Sequence, residues 1–133
     1  MNQKRIVWLD DIRCPYMEPW STTLAHYVIV GGSVNQSPFA NAAESVIHWV
    51  KSYDEFVNEI SDYEDMPVAI FFDHDLGEDK SGMDCMKWFV DYIQDHNIDP
   101  NKIDIYFQSA NPVGRENMAK LFSNYMKFYN ANK

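Results

Sequence analysis

Three short clusters of polar residues in this sequence have the side chains that phosphate chemistry needs. Asp10 and Asp11 follow one apolar run, residues 73–75 (Asp-His-Asp) follow a second, and Ser109 with Asn111 follows a third. Carboxylates that converge without cysteines make a hard oxygen site, which suits Mg²⁺ or Mn²⁺. A hydroxyl beside the free amides that open a helix makes a pocket for an anion. A metal on one side and amides on the other would hold a phosphoryl group between them.

Each polar residue can be given a role in such a site. His74 lies between two carboxylates and is the candidate general acid or base, with Asp73 beside it as the second candidate catalytic residue. The candidate metal ligands are Asp10, Asp11, Asp73 and Asp75. The candidate phosphate ligands, which would supply hydroxyl, amide and charge-assisted hydrogen bonds, are Arg13, Ser109, Asn111 and Arg115.

Each cluster also has a simpler explanation when it is taken alone. An acidic pair after a strand often begins a solvated loop, and the residues from Asp75 to Gly77 are typical turn formers. Asn111 before Pro112 is an ordinary start for a helix. The functional interpretation is favoured because all three clusters are expected at one edge of the same sheet.

The elements that would position these clusters alternate between strand and helix. The sequence contains three continuous apolar runs, at residues 6–9, 68–72 and 103–108, and a weaker one at residues 46–50. Such runs are typical of strands that are buried on both faces of a parallel sheet. Helical patterns begin after Ser52, Ser81 and Asn111. The sequence therefore predicts an α/β fold with right-handed crossovers, in which the carboxyl ends of the strands share one edge.

The stretch at about residues 13–45 departs from this alternation. It is rich in proline and glycine and contains one short apolar piece, residues 27–30. It is long for a plain loop, and loops of this length are often functional lids or carry some structure of their own. We predict a single domain over residues 1–133 with an irregular insertion here, containing one small strand.

Charge and cysteine content limit the kinds of partner and metal that this protein is expected to bind. The 133 residues include 20 Asp and Glu against 11 Lys and Arg, which gives a net charge of −9. This charge argues against binding along a nucleic-acid backbone, although a single nucleotide or a strand end could still bind. Cys14 and Cys85 lack the spacing of a zinc site or a disulfide framework. We expect no signal peptide, no membrane partner and a cytoplasmic location, because no apolar run approaches the length of a span.

The polar segments also resemble the motifs of a known family. Residues 9–15 read L-D-D-x-R-x-P, residues 73–77 read D-H-D-L-G, and residues 109–118 read S-x-N-P-x-G-x-x-N-M. In this order they resemble the cyclic-phosphate-processing receiver-like domain. The resemblance implies a reduced receiver-like (flavodoxin-like) fold, with a parallel sheet of about four strands and helices packed on it. It also implies a role in handling 2′,3′-cyclic phosphate ends or cyclic nucleotides, often alongside RNA repair.

The wider receiver family offers a second comparison, from which the sequence departs. A receiver needs a lysine after a fifth strand, and neither Lys127 nor Lys133 stands where that lysine should. We therefore expect the fifth strand to be missing, and we do not expect phosphorelay through Asp73.

Three functions follow from these observations. The first is metal-dependent hydrolysis of a cyclic phosphate on a nucleotide or RNA end, which the sequence favours. The second is a binding module that sequesters a nucleotide or cyclic phosphate without turnover, with the 13–45 insertion as a lid. The third is a receiver-like signalling or interaction domain that docks protein partners through its acidic surface.

Overall fold

Four parallel strands form one sheet in the computed structural model, which describes residues 4–12, 45–107, 109 and 111–132. The strands are β1 (Lys4–Leu9), β2 (Ser45–Val50), β3 (Ala69–Phe72) and β4 (Asp104–Phe107). Their order in the sheet is β2-β1-β3-β4, which matches the first four strands of a flavodoxin-like sheet. The prediction of a parallel sheet of about four strands is confirmed.

Three helices follow β2, β3 and β4 in turn. They are α1 (Tyr53–Ser61), α2 (Gly82–Asp95) and α3 (Pro112–Asn132), with a short 3₁₀ turn at Pro100–Lys102 before β4. The side chain of Ser52 caps α1, and Ser81 forms a reciprocal capping box with Asp84 at α2. Asn111 caps α3 by accepting a hydrogen bond from the Gly114 N–H at 3.0 Å. All three predicted helix starts are confirmed.

Alternating side chains bury both faces of the sheet. In β1, Val7 and Leu9 pack on the face that the three helices cover, while Ile6 and Trp8 pack on the other. The helix-covered cluster takes its large side chains from each helix, including Phe56, Ile60, Phe89, Ile93 and Phe122. Burial on two faces explains why the strands read as continuous apolar runs rather than as alternating ones.

The opposite face carries a smaller cluster that is rich in aromatic rings. Phe71 stacks on Tyr106 with the ring centroids 4.7 Å apart, and Trp8 lies 5.1 Å from Phe71. Trp8 is fully buried, whereas Trp49 packs half-buried on the smaller cluster and Trp88 on the helix-covered one. Most of the predicted insertion, including Arg13 and the apolar piece at 27–30, lies outside the described residues.

The register of the sheet brings the strand ends level. Leu9 pairs with Val50, and Phe72 pairs with Phe107. Just beyond these pairs, the Asp10 N–H donates to the Val50 carbonyl at 3.0 Å, and the Asp73 N–H donates to the Leu9 carbonyl at 3.1 Å. The residues that follow β1 and β3 therefore lie side by side at one edge.

Within the described part of the chain, no helix has the length and apolar character needed to cross a membrane.

Candidate functional site

Three carboxylates meet at the carboxyl edge of the sheet, and we call them the acidic trio: Asp10, Asp11 and Asp73. Each offers an oxygen that lies within 4.8 Å of the other two. Asp10 is 1% exposed and Asp73 is 7% exposed, while Asp11 is half-buried. Like charges this close repel one another, and burial removes most of the water that would screen them. A divalent cation relieves both costs, and carboxylate oxygens are the donors that Mg²⁺ and Mn²⁺ prefer.

Local hydrogen bonds orient two members of the trio. The Ile12 N–H donates to Asp10 Oδ1 at 2.9 Å, and the His74 N–H donates to Asp73 Oδ1 at 3.0 Å. The backbone of Asp10 is held as well, because Trp49 Nε1 donates to its carbonyl at 2.7 Å. These bonds fix the two buried carboxylates before any ligand arrives, which is what a preorganised cation site requires.

The turn after β3 passes close to the third member of the trio. Gly77 has a φ of +67°, in the left-handed region that glycine adopts without steric cost. A Cβ at this position would lie 3.0 Å from Asp11 Oδ2. The absence of a side chain at Gly77 therefore lets the 73–77 turn pass close to the carboxylate of Asp11.

His74 extends from the same turn toward helix α3. Its Nδ1 lies 3.0 Å from Asp75 Oδ1, and its side chain is 22% exposed. The ring packs against the first turn of α3 so closely that a Cβ on Gly114 would lie 2.4 Å from its Cγ. The imidazole thus connects the end of β3 to the start of the helix that follows β4.

Asp75 is the one predicted metal ligand, among the four acids, that the structure places outside the acidic trio. Its side chain is 70% exposed, and its carboxylate contacts the His74 ring. The role of Asp75 as a fourth metal ligand stays a prediction, because the group of carboxylates within 4.8 Å of one another consists of the other three. Residues 73 and 75 follow the same strand, but the turn carries the second carboxylate away from the first.

The end of β4 and the start of α3 form a connected polar network. Ser109 is fully buried, and its Oγ accepts the Asn111 N–H at 3.0 Å. Arg115 Nη1 donates to the Ser109 carbonyl at 3.1 Å. Three of the predicted phosphate ligands are therefore brought together, and Asn111 uses its side-chain oxygen as the helix cap. Arg13, the fourth, lies outside the described residues.

Two other groups with reactive atoms are held neutral in the core. Burial raises the pKa of the Cys85 thiol to about 12, with the charge of Asp84 as a further cause. Burial also raises the pKa of the Tyr106 hydroxyl to about 12, and the charge of Asp104 adds to the effect. Both groups stay protonated at neutral pH, so neither supplies an anionic nucleophile.

The sequence alone does not indicate that Trp49 and Gly114 contribute to the functional site. Trp49 lies in the apolar run 46–50, and only the register of β2 against β1 reveals that its indole N–H reaches the Asp10 carbonyl. Gly114 did leave a signal, because a glycine in the first turn of a helix lowers helix propensity and often marks a close approach. The sequence alone could not say which side chain approaches it.

Comparisons with solved structures reveal distant similarity. One is a fusion that carries the trimeric coiled coil of yeast Spc42; it is 15% identical, covers 99% of this chain and 82% of its own, and has a TM-score of 0.47. Another is the N-terminal domain of a response regulator/sensory box/GGDEF 3-domain protein from Carboxydothermus hydrogenoformans. It is 14% identical, covers 97% of this chain and 98% of its own, and has a TM-score of 0.42. No curated protein matches the sequence.

A family model does match. The model of the cyclic-phosphate processing receiver domain covers residues 5–124, a range that includes all three polar motifs and nearly the whole sheet. It therefore covers the acidic trio, His74 and the network at the start of α3 together. The chain belongs to the family of cyclic-phosphate processing receiver domains.

Proposed function

We propose that this protein hydrolyses a cyclic phosphate on a nucleotide or an RNA end, using a divalent metal held by Asp10, Asp11 and Asp73. The observation that carries the proposal is the acidic trio, in which two buried carboxylates and one half-buried carboxylate lie within 4.8 Å of one another. Membership of a cyclic-phosphate processing family supports the class of substrate. Asp75 is not part of this proposed metal site.

The donor set fits a hard cation. All three side chains offer carboxylate oxygens, and two of them are already oriented by backbone N–H groups. Mg²⁺ and Mn²⁺ prefer such oxygens and usually keep coordination positions for water or a phosphate. When bound, a divalent cation here would polarise the phosphoryl group and offset the negative charge that develops on its oxygens.

His74 supplies the proton transfer in this proposal. Hydrolysis of a cyclic phosphodiester adds a water oxygen to phosphorus and breaks one ester P–O bond. The attacking water loses a proton and the departing hydroxyl gains one, so the product is a phosphomonoester. The backbone N–H of His74 bonds Asp73, and its ring packs on the first turn of α3, where the phosphate pocket is predicted. An imidazole has one nitrogen that can accept a proton and one that can donate it, which is what general acid–base catalysis requires.

The phosphate is bound at the start of α3. Ser109 would donate its hydroxyl proton, and the guanidinium of Arg115, which also bonds the Ser109 carbonyl, would supply positive charge to the phosphate. The helix begins here, so its dipole also favours an anion. Asn111 contributes indirectly, because its side chain caps the helix and its backbone N–H fixes the Ser109 hydroxyl.

The charge of the molecule favours a small substrate. A net charge of −9 opposes binding along a polymer of phosphates, whereas one phosphoryl group can be held by a local pocket and a cation. The roles of Arg13 and of the 13–45 insertion as a lid stay predictions, as do RNA repair and the cytoplasmic location.

A turnover assay tests the proposal. The protein is incubated with 2′,3′-cyclic and 3′,5′-cyclic nucleotides, with Mg²⁺, with Mn²⁺ and with a chelator, and phosphomonoester is quantified. We expect turnover that needs metal and that falls at least about a hundredfold in Asp73→Asn, because a metal ligand is lost. Asp91→Asn, an exposed change on α2, is the matched control and keeps full activity. Metal-independent turnover, turnover that survives Asp73→Asn, or no turnover of any substrate would contradict the proposal.

A receiver-like signalling role is the second candidate. Asp73 follows β3 and lies against the acidic pair that follows β1, which resembles the arrangement around the phosphoacceptor of receiver domains. Incubation with acetyl phosphate followed by mass spectrometry distinguishes the two. Stable phosphorylation of Asp73 without turnover of cyclic nucleotides would favour signalling over hydrolysis.

A further inference from the structure

The His74 ring is held by one carboxylate that does not belong to the acidic trio. Asp75 Oδ1 lies 3.0 Å from His74 Nδ1. An ionised carboxylate can only accept hydrogen bonds, so the proton in this contact belongs to Nδ1. In the neutral imidazole the other nitrogen, Nε2, then carries the lone pair. The contact therefore selects one tautomer of the proposed acid or base.

Helix α3 fixes the position of the same ring. A Cβ on Gly114 would lie 2.4 Å from Cγ, 2.5 Å from Cδ2 and 2.9 Å from Nδ1 of His74. Contacts this short leave no room for a side chain between the helix backbone and the ring. The ring thus packs directly on the backbone of Gly114.

The backbone of His74 is anchored at both ends. Its N–H donates to Asp73 Oδ1 at 3.0 Å, and its carbonyl accepts the Gly82 N–H at 2.7 Å. The first bond ties the histidine to a member of the trio, and the second ties it to the first residue of α2. Neither the backbone nor the ring can move far without breaking one of these contacts.

We propose that Asp75 and Gly114 are positioning residues for His74: Asp75 keeps the proton on Nδ1, and Gly114 provides the flat surface on which the ring rests. This assignment deepens the proposed hydrolysis and rests on it for its functional meaning. It also replaces the metal-ligand role that the sequence suggested for Asp75. Nε2 is then the atom that exchanges a proton with water or with the leaving hydroxyl.

The tautomer can be measured without any substrate. ¹⁵N NMR of histidine-labelled protein, recorded over a range of pH, distinguishes a protonated Nδ1 from a protonated Nε2 in the neutral ring. We expect Nδ1–H in the wild type and a shift of the proton toward Nε2 in Asp75→Ala. Asp75→Asn keeps an acceptor oxygen and should retain Nδ1–H. Asp79→Ala, an exposed change in the same loop, is the control. An unchanged His74 signal in Asp75→Ala would overturn the assignment.

Metal affinity separates the two possible roles of Asp75. Binding of Mn²⁺, followed by electron paramagnetic resonance, should change less than about twofold in Asp75→Ala, because an exposed carboxylate outside the trio is not a ligand. In Asp73→Asn the affinity should fall at least about tenfold. A comparable fall in Asp75→Ala would restore the metal-ligand role and contradict our assignment.

The kinetic signature distinguishes positioning from loss of structure. In Asp75→Ala we expect kcat to fall about tenfold to a hundredfold with KM nearly unchanged, because a displaced acid or base affects the chemical step. Asp75→Asn should recover much of that loss. A wild-type protein without turnover would contradict the proposed hydrolysis, while the ¹⁵N experiment would still decide whether Asp75 sets the tautomer. Equal activity of the wild type and Asp75→Ala would contradict a positioning role.

Discussion

Two histidines in the described part of the chain are paired with carboxylates, and the surroundings of the two pairs differ. His74 and Asp75 lie 3.0 Å apart at the carboxyl edge of the sheet, and His48 and Glu59 lie 2.7 Å apart between β2 and α1. Asp75 is 70% exposed, whereas Glu59 is 12% exposed. His74 follows Asp73 of the acidic trio, whereas His48 lies on β2, the edge strand of the sheet.

The carboxylate of the His48 pair also contacts an arginine of the protein. Glu59 Oε2 also lies 2.8 Å from Arg5 Nε, and the guanidinium of Arg5 lies over the Tyr63 ring with Cζ 4.1 Å from its centroid. Arg5 Nη1 donates in addition to the Asp65 carbonyl at 3.0 Å. The carboxylate of Glu59 thus contacts both the His48 ring and the Arg5 guanidinium.

The difference separates a structural pair from one that can react. In the His48 pair the charge of Glu59 offsets the charge of a nearly buried arginine, so its main effect is on stability. In the His74 pair the carboxylate is exposed and worth little for stability, yet it orients the ring of the residue that follows Asp73 of the acidic trio. The two histidine–carboxylate distances are similar, but burial and neighbouring groups decide whether the pair mainly stabilises the fold or orients a side chain.

The largest effect on stability is expected at Glu59. Glu59→Gln keeps the length of the side chain but removes the charge that faces Arg5, whose side chain is 8% exposed. Breaking a buried ion pair leaves an uncompensated charge, so the free energy of unfolding should fall by about 3 kcal/mol. Urea denaturation measures the change.

Glu64→Gln is the matched control for this change. Glu64 is exposed and lies in the same segment after α1, so its substitution should alter the free energy of unfolding by less than about 0.5 kcal/mol. If Glu59→Gln proved as mild as the control, the His48 pair would not be the structural member of the comparison. Turnover per folded molecule should stay at the wild-type level in both variants.

An intermediate effect is expected at Gly114. Alanine would gain up to about 1 kcal/mol of helix propensity but would place its Cβ 2.4 Å from His74 Cγ. Overpacking of this kind usually costs about 1–3 kcal/mol, so we expect a net loss of stability. The sign should reverse in the His74→Ala background, where the ring is absent and the helix propensity gain alone is left.

Urea denaturation of the four proteins in this double-mutant cycle measures the coupling. A coupling free energy near zero would mean that the ring does not rest on Gly114. Stabilisation by Gly114→Ala in both backgrounds would have the same meaning.

The sequence was sufficient for the sheet edge but not for the contacts around His74. Continuous apolar runs and helix caps are local signals, and the rule that parallel strands share an edge brings Asp10 and Asp73 together without further information. Whether Asp75 joins them depends on how one turn bends, and a turn of five residues has no periodicity to read. Gly114 approaches His74 across 40 positions of chain, so only the packed fold reveals that contact.

The smallest effect on stability is expected at Asp75, and it provides the sharpest contrast with Glu59. Asp75→Ala removes an exposed carboxylate that pairs with a histidine, and exposed pairs are usually worth about 0–1 kcal/mol. We expect the free energy of unfolding to fall by no more than about 0.5 kcal/mol, while the tautomer of His74 changes. The opposite pattern should hold for Glu59→Gln, in which stability falls and the His74 signal stays unchanged. Urea denaturation and ¹⁵N NMR on the same samples compare the two. A large loss of stability in Asp75→Ala would mean that both pairs are structural, and the distinction drawn from their burial would be wrong.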